Sequence, residues 1–344
     1  MADFAARRVV TGFAADGNPA FLSDGVPPET VASPMGHGLS EMLWLRAPAA
    51  TATDGGEPPA GARGMFPSRG ATAARLIRFP GYPEGTPVDD TWLRVPDEEP
   101  ALPGWHRSET LDLMIIIEGD LILGLDDGEY PLGAGAAVIQ RGTRHRWRVV
   151  GEQPCTFLSV LIAPDPAAGP PAPGAVAPEA APRDRDPAAR PLLLVTGTEA
   201  DGRSGCAALG APGLQLLPSS PGGTALHDYW QTGGPVGNVA QGGDVPAPWE
   251  LEPLGRGFAF RRVDFSSGQD EGEPFLHTTE TIDVDVVLGG ALEMRLGADG
   301  PTTTLNKGDV LIQRATPHSW RSVGADPAIL VSVMIGLPSA KSPL

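Results

Sequence analysis

Two stretches of this chain carry the same pattern of residues. His106-Arg-Ser-Glu-Thr-Leu-Asp112 and His277-Thr-Thr-Glu-Thr-Ile-Asp283 each place an aspartate six residues after a histidine. Gly119 and Gly290 follow at one fixed distance beyond these histidines. Internal repetition identifies the folding unit, and a period of this length indicates a duplicated domain instead of a solenoid of short repeats.

The match continues beyond the first motif. Gly135 and Gly308 are each followed, with nine residues between, by a second histidine, His145 and His318. Three flanking pairs of segments also align: Val10–Gly17 with Val195–Gly202, Arg75–Phe79 with Arg261–Phe265, and Leu158–Ile162 with Val331–Ile335. The repeated spacing predicts that one small unit was built twice and that any chemistry lies at the repeated histidines and aspartates.

The repeat divides the chain into two domains. We expect one over residues 1–163 and another over 190–344, because 344 residues suffice for two domains of ordinary size. Residues 164–189 are rich in Pro and Ala and poor in large apolar side chains, so they predict an extended linker. Residues 55–63 predict a second loop of this kind.

Composition limits the classes of partner that the chain is expected to bind. A net charge of −17 opposes binding to nucleic acid, which depends on cationic contacts to phosphate. No segment approaches the roughly 20 consecutive apolar residues of a membrane span, and the N-terminus lacks the apolar core of a signal peptide. Cys155 and Cys206 fall at non-equivalent places in the two copies, which favours free reduced thiols and a cytoplasmic protein. A small-molecule substrate is the expected partner, and a homodimer is left open.

Short apolar segments separated by turn signals predict β-strands at matching positions in both copies. In copy one they are 111–117, 121–125, 130–132, 136–140, 145–150 and 157–162; in copy two they are 282–288, 292–296, 302–305, 310–313, 318–323 and 329–335. Few stretches have a helical pattern, so we predict an antiparallel barrel or sandwich in each copy.

Side-chain alternation assigns a face to each motif residue. His106 and Asp112 share one face of their strand, and so do His277 and Asp283. The opposite face of residues 111–117 is also apolar, which predicts that each barrel packs against its sister copy as a pseudo-dimer.

With these motifs the chain resembles a bicupin. The usual first cupin motif is Gly-x5-His-x-His-x(3,4)-Glu-x6-Gly, and the usual second is Gly-x5-Pro-x-Gly-x2-His-x3-Asn. Gln140-Arg-Gly-Thr-Arg-His-Arg-Trp147 and Gln313-Arg-Ala-Thr-Pro-His-Ser-Trp320 are similar to a small-cupin subfamily of bacteria and fungi. Some of that subfamily sit beside secondary-metabolite genes. The resemblance implies an all-β fold with two cupin-type antiparallel β-barrels (double-stranded β-helix or jelly roll) in tandem.

The resemblance also implies a metal, with one departure. Ser108 and Thr279 replace the second histidine of the first motif. The ligands carried over are His277, Asp283 and His318 in copy two and His106, Asp112 and His145 in copy one. Two histidines and one carboxylate suit Fe, Mn, Ni or Zn, and the spacing does not choose among these divalent ions. The competing interpretation is a buried histidine–aspartate pair inherited from an ancestral metal site.

Four further residues of copy two are candidates for catalysis: Asp285, Gln313, Thr279 and Trp320. Asp285 is either an added carboxylate for acid–base work or a solvent-facing residue. Gln313 orients a ligand or makes a turn hydrogen bond. Thr279 binds a water, and Trp320 forms a pocket wall or packs in the core.

Three functions remain open. The first is a metal-dependent enzyme acting on a small organic metabolite, with a non-haem oxygenase of secondary or aromatic metabolism as the leading reaction. The second is a redox-neutral cupin isomerase, cyclase or lyase. The third is a metal-free protein that binds a small molecule without turning it over. Copy two is the favoured active copy because its pocket face carries more polar residues.

Overall fold

The computed structural model of the chain describes residues 4, 6–33, 36–46, 49–56, 66–95, 102–165, 188–212, 214–216, 223–239, 243, 250–253, 255–267 and 275–338. Most of the predicted linker, and residues 57–63 of the predicted loop, lie outside them. Nearly all the regular structure in the described residues is β-strand, with one short 3-10 helix at Val88–Thr91. The predicted all-β class is confirmed.

The strands before the linker are β1 (Arg8–Phe13), β2 (Pro19–Gly25), β3 (Thr30–Ala32), β4 (Gly38–Leu45), β5 (Thr72–Phe79), β6 (His106–Arg107), β7 (Leu111–Glu118), β8 (Leu121–Leu125), β9 (Gly128–Leu132), β10 (Ala137–Arg141), β11 (Arg144–Val149) and β12 (Cys155–Ile162). Those after it are β13 (Leu193–Thr198), β14 (Ser204–Gly210), β15 (Leu214–Leu216), β16 (Thr224–Gln231), β17 (Phe258–Phe265), β18 (Thr281–Gly289), β19 (Ala291–Leu296), β20 (Thr302–Asn306), β21 (Val310–Arg314), β22 (His318–Val323) and β23 (Ala328–Gly336).

These strands form two pairs of facing sheets. In the first pair, which we call barrel 1, the eight-stranded sheet β14-β13-β10-β7-β12-β5-β4-β3 packs against the four-stranded sheet β6-β11-β8-β9. In the second, barrel 2, the eight-stranded sheet β15-β16-β17-β23-β18-β21-β1-β2 packs against the three-stranded sheet β20-β19-β22. This arrangement fits the jelly roll expected of cupins.

Each large sheet contains a hairpin from the other half of the chain. The hairpin β1–β2 joins barrel 2 because β1 pairs in parallel with β21. The hairpin β13–β14 joins barrel 1 through the equivalent parallel pair between β13 and β10. The split of the chain into residues 1–163 and 190–344 remains our proposal for the duplicated units.

The largest hydrophobic cluster lies between the two large sheets. It joins alternate residues of β7, such as Leu113 and Ile115, to alternate residues of β18, such as Val284 and Val286. Side chains of the opposite parity, such as Met114 in barrel 1 and Val287 in barrel 2, fill the interior of each barrel. The face-to-face packing predicted from the two apolar faces of the motif strand is therefore present.

No helix among the described residues has the length and apolar character needed to cross a membrane.

Candidate functional site

The two histidines of each repeat meet at one end of their barrel. His106 pairs with His145 across β6 and β11, and the ring centroids are 4.1 Å apart. In barrel 2 the main chains of His277 and His318 exchange hydrogen bonds of 3.0 and 2.9 Å, and the ring centroids are 4.3 Å apart. The predicted convergence of the two histidines is present in both repeats.

Main-chain carbonyls hold one nitrogen of the first histidine in each pair. Nδ1 of His106 lies 2.9 Å from the carbonyl oxygen of Gly104, and Nδ1 of His277 lies 3.2 Å from that of Phe275. A carbonyl oxygen only accepts, so each Nδ1 donates.

The second histidine is held by the turn that precedes it. Nδ1 of His318 lies 2.9 Å from the carbonyl oxygen of Thr316 and 2.8 Å from Nε2 of Gln313. The Gln313 amide also donates to Thr316 and accepts from the N–H of Ala315. Gln313 therefore makes the predicted turn hydrogen bonds and also contacts the histidine. Gln140 and His145 repeat the contact at 2.9 Å.

Both second histidines are neutral near pH 7. Burial, together with the nearby His106, lowers the pKa of His145 to about 3. Burial and His277 lower the pKa of His318 to about 4. When Nδ1 of such a neutral imidazole donates to the turn, the lone pair is on Nε2, which is how proteins hold a metal-ligating histidine.

The aspartates lie deeper in the sheet. Asp112 pairs with Gln140 in register, and Asp283 pairs with Gln313. Both carboxylates are buried, and one oxygen of each, Oδ1, has no hydrogen-bond partner. Burial raises the pKa of Asp112 to about 7, against hydrogen bonds from Thr110 and Ser108. Burial also raises the pKa of Asp283.

The predicted ligand sets are brought together only in part. Within the described ranges, which include all six predicted ligands, no three His, Cys, Asp or Glu side chains lie close enough to hold a metal ion. Each pair supplies two neighbouring imidazoles, a side chain that divalent metals bind, with ring centroids 4.1 and 4.3 Å apart. The aspartates have an unsatisfied buried oxygen but do not join the same cluster. Two of the three predicted ligands thus lie together in each barrel, and the metal set as a whole stays a prediction.

A buried ion pair lines each barrel, and the sequence reading missed both. In barrel 1, Nε of Arg75 lies 2.8 Å from Oε1 of Glu41. In barrel 2, Nε of Arg261 lies 3.0 Å from Oδ1 of Asp228. Ser159 pairs with both Arg75 and Met114, which places this arginine on the interior face. The repeat aligns the two arginines, and this is the signal in the sequence that could have identified them.

Barrel 2 carries one more interior acid than barrel 1. Asp285 is 3 % exposed and takes the place of Met114, so the solvent-facing alternative does not apply. Burial raises its pKa well above the usual value, and the charge of Asp283 adds to this effect. Ser332, which pairs with Asp285 in register, donates a hydrogen bond to it.

The remaining candidates of copy two lie around the histidine pair. Thr279 is buried and accepts a hydrogen bond of 2.8 Å from Thr281. Trp320 stands edge-on to His318, with ring centroids 5.8 Å apart, and packs against the barrel core. Ser108 in barrel 1 contacts Asp112 at 3.4 Å. Their part in catalysis remains a proposal.

Known proteins resemble parts of this chain. Residues 92–161 match the family model described as the cupin domain. Phomopsin biosynthesis cluster proteins C′ and D of Diaporthe leptostromiformis are each 42% identical over 66 residues, 19% of this chain and 33% of theirs. The cupin-domain-containing oxidoreductase srdD of Neurospora crassa is 34% identical over 83 residues, 23% of this chain and 40% of its own. The matched segments thus span well under half of these relatives.

Solved structures resemble the chain over most of its length. A putative glyoxylate-induced protein from Pseudomonas aeruginosa aligns with a TM-score of 0.44 at 13% identity, covering 92% of this chain and 87% of the other. Vicilin from Solanum melongena aligns with a TM-score of 0.46 at 11% identity, covering 91% and 83%. The cupin-domain match at residues 92–161 lies within barrel 1, and the two sets of facing sheets are consistent with a bicupin.

Proposed function

We propose that this chain is a cupin enzyme that acts on a small organic metabolite beside its histidine pairs. His277 and His318 would hold a divalent metal in barrel 2, and His106 and His145 would hold one in barrel 1. The observation that supports this proposal is the pairing of the rings, whose centroids lie 4.1 and 4.3 Å apart while main-chain carbonyls contact Nδ1 of every ring. When bound, such a metal supplies Lewis-acid or redox chemistry.

The protein's own groups would set the geometry and the protonation state of this site. Gln313 and Thr316 fix the ring of His318, and burial keeps it neutral and available as a ligand. Asp283 is the proposed third ligand because its Oδ1 is buried without a partner. The apolar walls of the barrel limit the access of water to reacting groups.

An oxygenase of secondary metabolism is the reaction we favour. One relative with a partial match is named an oxidoreductase, and others are named as products of biosynthesis clusters. A redox-neutral isomerase, cyclase or lyase is the second candidate. The adjacent buried acids Asp283 and Asp285 favour it, since they can hold and transfer a proton in the barrel.

Metal analysis tests the proposal. Protein purified without added metal should contain a stoichiometric divalent ion, and the double variant His277→Ala/His318→Ala should lose the barrel 2 portion. The matched control is His37→Ala, whose ring lies outside both histidine pairs and contacts Ser33. If the purified protein is metal-free and a chelator does not change its thermal unfolding midpoint, only the third function, a metal-free protein that binds a small molecule, would remain.

A second measurement separates the two reactions. After loading with Fe(II) under anaerobic conditions, an oxygenase site should bind nitric oxide and give the electron paramagnetic resonance signal of an iron–nitrosyl complex. Wild-type protein that binds Fe(II) without this signal would favour the redox-neutral candidate. The double variant His277→Ala/His318→Ala shows how much of the signal comes from barrel 2.

A further inference from the structure

We propose that substrate enters at barrel 2, and that Phe275 there recognises a planar aromatic or conjugated ring carrying hydroxyl or amino groups. The inference rests on the proposed function, because it places the substrate beside the histidine pair. It assigns the entrance and the chemical class of the ligand.

The rim of barrel 2 presents an aromatic ring to solvent. Phe275 is 74% exposed and the adjacent Leu276 is 44% exposed. The ring of Phe275 stacks on that of His277, with a centroid distance of 5.1 Å and an interplanar angle of 17°. Below it, His318 is 3% exposed. Rings therefore follow one another from solvent to the buried histidine.

The exposed ring offers a flat apolar surface beside polar groups. Aromatic rings bind other rings in offset-stacked or edge-on arrangements, and an exposed apolar surface can mark a ligand site. The ring of Phe275 is already stacked on that of His277, so a ligand ring can pack against the two rings without first ordering Phe275. This favours a planar ligand over a saturated one.

Barrel 1 has a covered surface at the equivalent position. Gly104, two residues before His106 as Phe275 is before His277, is buried. A Cβ atom there would lie 2.7 Å from the carbonyl oxygen of Leu93 and 3.4 Å from Cβ of Trp92. No side chain fits at this position of barrel 1.

Trp92 and Leu93, which cover this position of barrel 1, are held in place by contacts with β11. Leu93 donates its N–H to the carbonyl oxygen of Trp147 at 2.8 Å, and Trp92 is 1% exposed. The guanidinium of Arg146 lies over the ring of Trp92 at 3.6 Å. In barrel 2, Ser319 replaces this arginine, so the same cation–π contact cannot form.

The interior of barrel 2 defines the polar part of the ligand. Asp283 and Asp285 lie on the same face of β18 and are buried, where barrel 1 has Asp112 and Met114. Carboxyl groups accept hydrogen bonds from hydroxyl and amino groups. Asp283 is the proposed metal ligand, so Asp285 is the acceptor left for a ligand whose ring packs at Phe275 and whose donor is directed inward.

The test compares two probes of matched size, 4-ethylphenol and 4-ethylcyclohexanol, by ligand-observed NMR titration of the full-length protein as purified. We expect wild-type protein to bind the phenol at least about five-fold more tightly. Phe275→Leu keeps an apolar side chain but should abolish this preference. Phe13→Leu, at another exposed phenylalanine, is the matched control and should retain it.

Several results would overturn the inference. These are equal binding of both probes by wild-type protein, binding of neither, or an unchanged preference in Phe275→Leu. A change of oligomeric state in Phe275→Leu, measured by light scattering, would instead assign the patch to a second copy of the chain. A preference lost in His106→Ala/His145→Ala but kept in His277→Ala/His318→Ala would place the ligand in barrel 1.

Metal content distinguishes this inference from the proposed function. Phe275→Leu should keep the metal of the wild-type protein, since the hydrogen bond that holds Nδ1 of His277 goes to the main-chain carbonyl of residue 275, which the substitution leaves in place. Metal-bound protein without ring preference contradicts the inference alone. Metal-free protein with the preference contradicts the proposed enzyme alone.

Discussion

Gln313 and His318 lie side by side in barrel 2, with the amide Nε2 2.8 Å from the ring Nδ1, and both nitrogens are 2.9 Å from the carbonyl oxygen of Thr316. Gln140 and His145 repeat the contact in barrel 1. The turn before each second histidine is thus built to enclose Nδ1.

This enclosure bears on the tautomer of His318. Nδ1 lies between an acceptor, the carbonyl oxygen of Thr316, and a donor, the amide nitrogen of Gln313, so it carries the hydrogen only when it donates to Thr316. The metal proposal requires this tautomer, which we therefore expect, and long-range ¹H–¹⁵N NMR of metal-free protein measures it directly. Gln313→Leu should weaken metal binding by about 10- to 100-fold, the usual effect of losing a group that orients a ligand. Gln153→Leu, at an exposed glutamine, is the control. A hydrogen on Nε2 would contradict the metal proposal.

The motif glycines predict a steric effect on stability. Gly290 has φ +64°, and an added Cβ would lie 2.5 Å from the carbonyl oxygen of Pro327. Gly308 has φ +89° but nothing within 4 Å of such an atom. Alanine at Gly308 should cost about 1 kcal/mol through backbone strain alone, whereas Gly290→Ala should cost about 2–4 kcal/mol in urea unfolding. Equal losses would show that the contact with Pro327 is readily relieved.

The ion pair inside barrel 1 predicts an asymmetric response to substitution. Arg75→Met should lower the free energy of unfolding by about 3–5 kcal/mol, because it leaves Glu41 buried without its cation. The double variant Arg75→Met/Glu41→Leu should recover most of that loss. The urea midpoints of the two variants measure the difference. A double variant no more stable than Arg75→Met would show that the arginine acts through other contacts.

Asp126 connects the β8–β9 turn to β14, and we expect the stability that this contact contributes to depend on pH. Burial opposes its ionisation, but hydrogen bonds from Ser204 and the cation of Arg144 outweigh burial and hold its pKa below the usual 3.8. A lowered pKa stabilises the fold above about pH 4 and ceases to do so as the pH falls through the folded-state value. Asp126→Asn should therefore cost about 1–2 kcal/mol at pH 7 and much less near pH 2.

Comparison with Asp16→Asn controls for a local effect. Hydrogen bonds from Asn18 hold the pKa of Asp16 low within its own turn, and it is exposed. Its substitution should leave the unfolding midpoint nearly unchanged at every pH. An equal pH dependence in both variants would mean that the Asp126 contact to β14 adds nothing.

Strand positions were the most predictable part of the fold. Leu121–Leu125 and His318–Val323 have the predicted bounds, and the other motif strands differ by only a few residues. Turn glycines and alternating apolar side chains are local signals, so the sequence displays them directly. The parallel pairs β1–β21 and β10–β13 join segments far apart in the chain, and no local pattern reports such a partner.

The residue types of the site were predictable, but not its geometry. Alternation assigned His106 and Asp112 to one face of one strand, whereas they lie on β6 and β7, two strands of facing sheets. The histidines meet because β6 pairs with β11, while Asp112 pairs with Gln140 on β10. The sequence did not indicate Arg75 and Arg261 as interior residues, because charged residues in strands usually face solvent.

The hairpin exchange described above makes the two halves of the molecule mutually dependent. A protease cut in the connector would leave β1–β2 bound in the sheet of the second fragment and β13–β14 bound in that of the first, so the nicked molecule should migrate as one species until it is denatured. Either half produced alone would expose an unpaired edge at β10 or β21, which invites aggregation. Co-production of the halves should restore a non-covalent complex.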